Sequence, residues 1–309
     1  MTWWANVRTK ALEVRPDRSV GVLAIASMIL SYGLVVLGST VRVTNSGMGC
    51  PSWPLCYGRY GPVDQYNALL EQSHRYLVSV VTIAVFATAL AAYRSHTRRI
   101  ALVPAATGAG LILVQAGLGA VTVFANNAPW TVAVHLVVGF IFFGATTVTA
   151  VVALRPGHVQ WSVGSVGRWG WVALVTTLAL VVAGTLVVGT GAGDDCPSWP
   201  LCTHSAPGGM IAWQLVHRAV AGIAGISLIG FVASNWRATA GWHRWRIGAA
   251  ALVGLLAAAA AIGAGTALSR ATAGWQDFHL AMAAALWGVL VTLVAMLATN
   301  GSAQQARQA

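Results

Sequence analysis

Cys50-Pro51-Ser52-Trp53-Pro54-Leu55-Cys56 occurs twice in this chain: Cys196-Pro197-Ser198-Trp199-Pro200-Leu201-Cys202 repeats it letter for letter, 146 positions later. The likeness extends back into the preceding apolar run. At that offset Leu34 to Cys56 matches Leu180 to Cys202 at 14 of 23 positions, among them Gly38/Gly184, Thr44/Thr190 and Gly47/Gly193. A period near half the chain marks a tandem duplication. Each Cys motif is followed by a His-Arg pair, His74-Arg75 and His217-Arg218, and each half then carries a further histidine, His135 and His279.

Composition sets the class. The 309 residues are 57% hydrophobic and 8% charged, against about 25% charged in soluble domains, so the chain is expected to be an integral membrane protein. The net charge of +11 does not point to nucleic acid, because the basic residues sit in short loops between apolar runs. A bilayer core takes about 20 apolar residues as helix, and eight runs qualify: 20–41, 74–93, 100–124, 131–154, 169–190, 211–233, 247–268 and 277–298. Lipid leaves no partner for open backbone groups, so each is expected as a helix. The fold class is therefore all-α, with eight transmembrane helices arranged as two pseudo-symmetric four-helix bundles. The expected divisions are an N-terminal segment 1–19, a first half 20–154, a linker 155–168, a second half 169–298 and a tail 299–309.

Lysine and arginine fall 13 on one side of this arrangement and five on the other, the five being Arg42, Arg59, Arg75, Arg218 and Arg270. Basic loops stay cytoplasmic, which puts both termini inside and both Cys motifs outside, where disulfides persist. Zinc sites space their cysteines more closely, so local Cys50–Cys56 and Cys196–Cys202 disulfides are the plain expectation. A redox role for these short, exposed loops is the alternative. The sequence does not choose between them.

His74, His135, His217 and His279 all fall near the start of an even-numbered span, at one depth and two per half. His96, His158, His204 and His243 fall in loops. An ionisable side chain inside a membrane is a functional candidate by default. Lone metal ions recruit carboxylates or thiolates as well, and these spans carry few. Two histidines on facing helices suit a flat cofactor with two axial ligands, and haem is such a cofactor. One haem-sized site per half follows. The halves differ at one place: Glu71 stands three residues before His74, where the second half has Gln214 before His217. Residues three apart share a helix face, so Glu71 is expected to face the cavity of His74. A carboxylate in one half and an amide in the other suggests one site for chemistry and one for holding a cofactor. As a carboxylate in a first helical turn, Glu71 has a plainer role, stabilised by the helix dipole.

Eight spans in two homologous halves, an outward Cys pair, Glu71-x-x-His74-Arg75 and a histidine at the start of every even span resemble the haem A synthase family of the CtaA type, over about residues 20–298. The resemblance implies oxidation of a methyl group of haem O to the formyl group of haem A, for cytochrome oxidase. The expected route is two successive hydroxylations with electrons relayed through a bound haem b. It further implies that His217 and His279 ligate the haem b, that His74 and His135 line the haem O site, and that Glu71 is essential. Arg75 and Arg218 are candidates for pairing with haem propionates, or for reaching the headgroups. Expected partners are the substrate, the haem O synthase that supplies it, membrane lipid and an electron partner of unspecified kind; an oligomer stays open. Two rival readings use the same ligands without the oxidation: a di-haem, quinone-linked electron-transfer protein, and a non-catalytic haem carrier.

The basic-residue split generates a direct test of orientation. Cysteines introduced at Ser19 and Ser302 are expected to resist an impermeant thiol reagent in intact cells, and labelling of either from outside would reverse the topology.

Overall fold

Long apolar runs can satisfy their backbone in lipid only within themselves, and the chain answers with helices. The computed structural model describes residues 3–61, 63–95, 99–155, 161–203 and 210–299; His96, His158, His204 and the tail from 300 onward lie outside them. The helices are α1 Trp3–Val43, α2 Tyr66–Arg94, α3 Leu102–Phe124, α4 Pro129–Leu154, α5 Gly167–Gly189, α6 Ile211–Asn235, α7 His243–Leu268 and α8 Ala273–Ala298. In each helix a stretch is long and apolar enough to cross a membrane, from Arg18 onward in α1. The chain is an all-α, multi-pass membrane protein.

Helix ends follow from local sequence. Pro129 opens α4, where its missing N–H would have had no helical partner. After α1 and α3 the chain turns through Asn45, and through Asn126 and Asn127, at φ of 54°, 50° and 54°. Asparagine tolerates this left-handed region better than most residues. One boundary differs from expectation. The apolar run of the second span starts at His74, but α2 begins eight residues earlier, at Tyr66. Its polar first turns are held helical by the Cys loop lying against them: a Cβ on Gly49 would meet the backbone of Asn67 and Ala68 at 2.5 Å. His74 therefore sits in the third turn of α2, whereas His135, His217 and His279 each lie six residues past their helix start.

Lipid tails are as apolar as leucine, so these helices are held by close packing and interhelical hydrogen bonds rather than by exclusion from water. A close, two-way contact joins α4 and α8 where they cross. The Trp287 indole of α8 lies over Gly144 of α4, where a Cβ would stand 3.3 Å from Nε1. The Phe143 ring of α4 lies over Gly288 of α8, where a Cβ would stand 2.9 Å from Cζ. The contact is reciprocal, large residue into glycine in both directions, and Trp287 Nε1 also donates to the Phe140 carbonyl at 2.8 Å. Hydrogen bonds tie α8 to the first four helices at other levels. Thr40 Oγ1 donates to Asp277 Oδ2 at 2.8 Å, Tyr32 to the Ala281 carbonyl at 3.3 Å, and Arg155 just past α4 to the Met296 carbonyl at 2.6 Å. Around the crossing lies the main core, with Phe140, Phe231, Trp245, Leu290 and Leu293 fully buried.

The two sets of four helices are not packed alike. In the first, α1 lies along α4 and α2 along α3. In the second, α5 meets α8 and α6 meets α7 at only a few positions. The second set is splayed around its centre.

A leucine at Gly288 has nowhere to go but into Phe143. Overpacking of this kind costs about 1–3 kcal/mol, so Gly288→Leu is expected to lower the thermal unfolding midpoint of the purified protein by several degrees. Gly254→Leu, where a Cβ meets open space, is expected to leave it unchanged.

Candidate functional site

Each of the four span histidines is backed by a glycine on a neighbouring helix. A Cβ on Gly38 of α1 would stand 3.1 Å from His74 Cε1, and one on Gly119 of α3 would stand 3.7 Å from His135 Cε1. In the second set, Gly184 of α5 stands 3.4 Å from His217 Cε1 by the same measure, and Gly263 of α7 stands 2.9 Å from His279 Cε1. A side chain at Gly38 or Gly263 would press on the imidazole, and at Gly119 and Gly184 a Cβ would just touch it, so the glycines let each helix approach one ring edge. All four Nδ1 atoms are buried without a hydrogen-bond partner. A buried polar atom left alone costs about 1–3 kcal/mol, and four equivalent ones mark a site rather than an accident of packing.

The second pair carries the most telling geometry. The His217 and His279 rings lie across the splayed helices from each other with centroids 6.4 Å apart and planes 76° apart. A metal held in line by two imidazole nitrogens at about 2.0 Å, with each ring centre about 1.1 Å behind its nitrogen, sets the centroids roughly 6.2 Å apart. The donor set is two histidines alone, since no group of three or more His, Cys, Asp or Glu gathers among the described residues. Such a pair suits an ion that brings its own equatorial ligands, as haem iron does. The residues present fit the group.

The Cys motifs form two loops of the same design at one end of the bundle. Disulfides join Cys50 to Cys56 and Cys196 to Cys202. Ser52 Oγ donates to the Leu55 carbonyl at 2.7 Å, and Ser198 Oγ to the Leu201 carbonyl at 2.8 Å. The two arginines hold these loops. Arg75 donates to the carbonyls of Ser52, Pro54 and Leu55 at 2.8, 3.2 and 3.2 Å. Arg218 donates to Pro200 at 3.0 Å and Cys196 at 3.2 Å. Among the described residues their partners are thus loop carbonyls.

Glu71 belongs to the same clamp. Its Oε2 accepts the Cys50 N–H at 2.8 Å, and its Oε1 pairs with Arg75 Nη2 at 2.6 Å. The carboxylate is buried, as is Gln214 at the matching place. Gln214 Nε2 instead donates to the carbonyls of Ala192 and Gly193, at 2.8 and 3.0 Å. The difference between the halves therefore has a local meaning as well: one loop presents a donor to α2, the other presents acceptors to α6. The spacing argument identified both positions but not this exchange. It also missed the four glycines. Gly38 and Gly184 stood out as matched positions in the duplication, and that match was their only signal. Gly119 and Gly263 were not singled out.

Eight spanning helices with buried, glycine-backed histidine pairs near the Cys-loop end define a multi-pass membrane protein. Residues 21–291 match the sequence model of the COX15-CtaA cytochrome oxidase assembly proteins, and the chain belongs to that family. Among similar proteins, the heme A synthase of Lysinibacillus sphaericus is 27% identical over 74% of this chain and 75% of its own length. That of Geobacillus thermodenitrificans is 30% identical over 67% and 69%. That of Symbiobacterium thermophilum is 29% identical over 88% and 92%.

The clamp can be tested by amide exchange. Glu71→Ala removes the acceptor of the Cys50 N–H and is expected to speed exchange in residues 46–56 without altering 192–202. Gln214→Ala is expected to do the reverse.

Proposed function

We propose that this protein is a haem A synthase, which oxidises a methyl group of haem O to the formyl group of haem A. The observation that carries the reading is the His217–His279 pair at 6.4 Å, in a chain whose family and similar proteins point the same way. His217 and His279 would hold a resident haem b, which when bound supplies one-electron transfer. His74 and His135 would hold the substrate haem O.

Turning a methyl into a formyl group is a four-electron oxidation: with water as the oxygen source, R–CH3 + H2O gives R–CHO + 4 H⁺ + 4 e⁻, the four electrons passing to an electron-accepting partner outside this chain. We read it as two hydroxylations of one carbon, through the alcohol to the gem-diol, which loses water to give the aldehyde. Protons leave that carbon at each stage, and Glu71 is the carboxylate nearest His74 in sequence, three residues away on α2. We assign it the acceptance of a proton from the substrate or the stabilisation of positive charge developing at the methyl carbon. Its bonds to Cys50 and Arg75 place the Cys loop under the control of the same side chain. Arg75 and Arg218 would reach a haem propionate only by exchanging loop carbonyls for it, so loop anchoring is their first role. Both termini on the cytoplasmic side and the Cys loops outside complete the assignment, as the basic-residue distribution supports.

Two measurements test the reading. His217→Ala and His279→Ala are each expected to abolish the spectrum of co-purifying haem b; its survival in both would refute the ligand assignment. Glu71→Gln, expressed beside a haem O source, is expected to lower haem A formation by about 10²–10⁴, the contribution of one positioned acid–base group. Haem O or its hydroxylated product should accumulate in that variant. A near-normal rate would leave Glu71 only its clamp. Haem A formed by the wild type under these conditions separates a synthase from an electron-transfer protein or a carrier.

A further inference from the structure

Of the five basic residues assigned to the Cys-loop side, Arg75 and Arg218 hold the loops. Arg42 and Arg270 have a different setting. Both line a cavity of about 340 Å³ walled by the end of α1 (Arg42, Val43), the end of α5 (Val188) and the start of α8 (Gln276). The turns through Asn45, Gly191 and Ala271 complete it. None of the four span histidines lines it. Neither guanidinium makes a hydrogen bond or an ion pair among the described residues. Asp194 also lines the cavity and pairs with neither arginine within 4.0 Å, so the lining side chains leave a net positive charge facing a common space.

The duplication sharpens this. At the 146-residue offset Arg42 corresponds to Val188, and at the 144-residue offset Arg270 corresponds to Asn126. Asn126 and Asn127 turn the chain after α3 at φ of 50° and 54°; Arg270 and Ala271 make the matching turn after α7 at 54° and 55°. Asparagine suits that region and arginine does not, yet arginine stands at the cavity wall. Both cationic groups are thus particular to this one place between the two sets of helices.

We propose that this cavity binds a phosphate group. Two guanidinium groups on one cavity match phosphate oxygens bidentately. Asn45 adds an amide donor beside them, while the Gln276 amide already donates to the Ala271 carbonyl. The cavity lies at helix ends, the level at which headgroups meet a spanning bundle. The phosphate comes from an anionic phospholipid or from free phosphate in solution, and the two sources share this chemistry.

The test uses the whole purified protein, delipidated in detergent and followed by native mass spectrometry and thermal unfolding. Phosphatidylglycerol, phosphatidylcholine and inorganic phosphate are titrated separately against the wild type, Arg42→Lys, Arg270→Gln and the double variant Arg42→Gln/Arg270→Gln. Phosphatidylglycerol is expected to bind the wild type and raise its unfolding midpoint, with apparent affinity at least ten-fold weaker in the double variant and intermediate in Arg42→Lys, which keeps the charge and loses the bidentate fork. Phosphatidylcholine is expected to bind more weakly. Arginine-dependent binding of inorganic phosphate without binding of phosphatidylglycerol would support the site and assign it to the free ion. Binding of neither, or equal binding by wild type and variants, overturns the proposal. Arg270 is exposed, so Arg270→Gln alone decides the matter if the double variant does not fold.

Discussion

The structure depends on one crossing. In a bilayer, apolar side chains gain nothing by leaving lipid for another helix, so two helices stay together only where their surfaces interlock. At α4 and α8, Trp287 over Gly144 and Phe143 over Gly288 interlock in both directions, and the indole N–H closes the contact on the Phe140 carbonyl. The histidines at 135 and 279 ride on these same two helices, eight residues earlier than Phe143 and Trp287 in each case. The crossing therefore sets the distance between the two pairs. Thr40–Asp277 and Arg155–Met296 keep the two ends of the assembly from sliding.

On this frame the two histidine pairs receive different surroundings. The first set of helices is packed face to face, and the second is splayed with its imidazoles opposed across the opening. Two stretches that share a sequence pattern are thus packed in two ways, and the second imidazole pair lies in the looser of them.

Much of this was legible in the sequence. Apolar runs mark spanning helices because the backbone in lipid has no alternative, and all eight runs fall on helices. The exact repeat of the Cys motif located two equivalent loops. What was not legible depended on direction rather than identity. The start of α2 was placed at His74 because hydropathy cannot see that Glu71 and Gln72, polar as they are, lie buried under the Cys loop. The spacing of Glu71 and His74 gave a shared helix face but not where the carboxylate turns, which the Cys50 N–H and Arg75 decide. Nothing in Gly119 or Gly263 by itself reveals that the neighbour received is an imidazole.

The exchange of Glu71 for Gln214 also bears on how a duplicated chain diverges. A carboxylate accepts and an amide nitrogen donates, and each has been matched by a loop that turns the opposite backbone group toward it: the Cys50 N–H in one case, the Ala192 and Gly193 carbonyls in the other. A glutamate at 214 would set two lone-pair-bearing carbonyls against a negative charge, so there the amide and the turn of the loop depend on each other. A glutamine at 71 could still accept the Cys50 N–H through its Oε1, but it would lose the charge that faces Arg75. The two positions are therefore not equally free to change. The two halves have stopped being interchangeable copies, however faithfully the letters between the cysteines are kept.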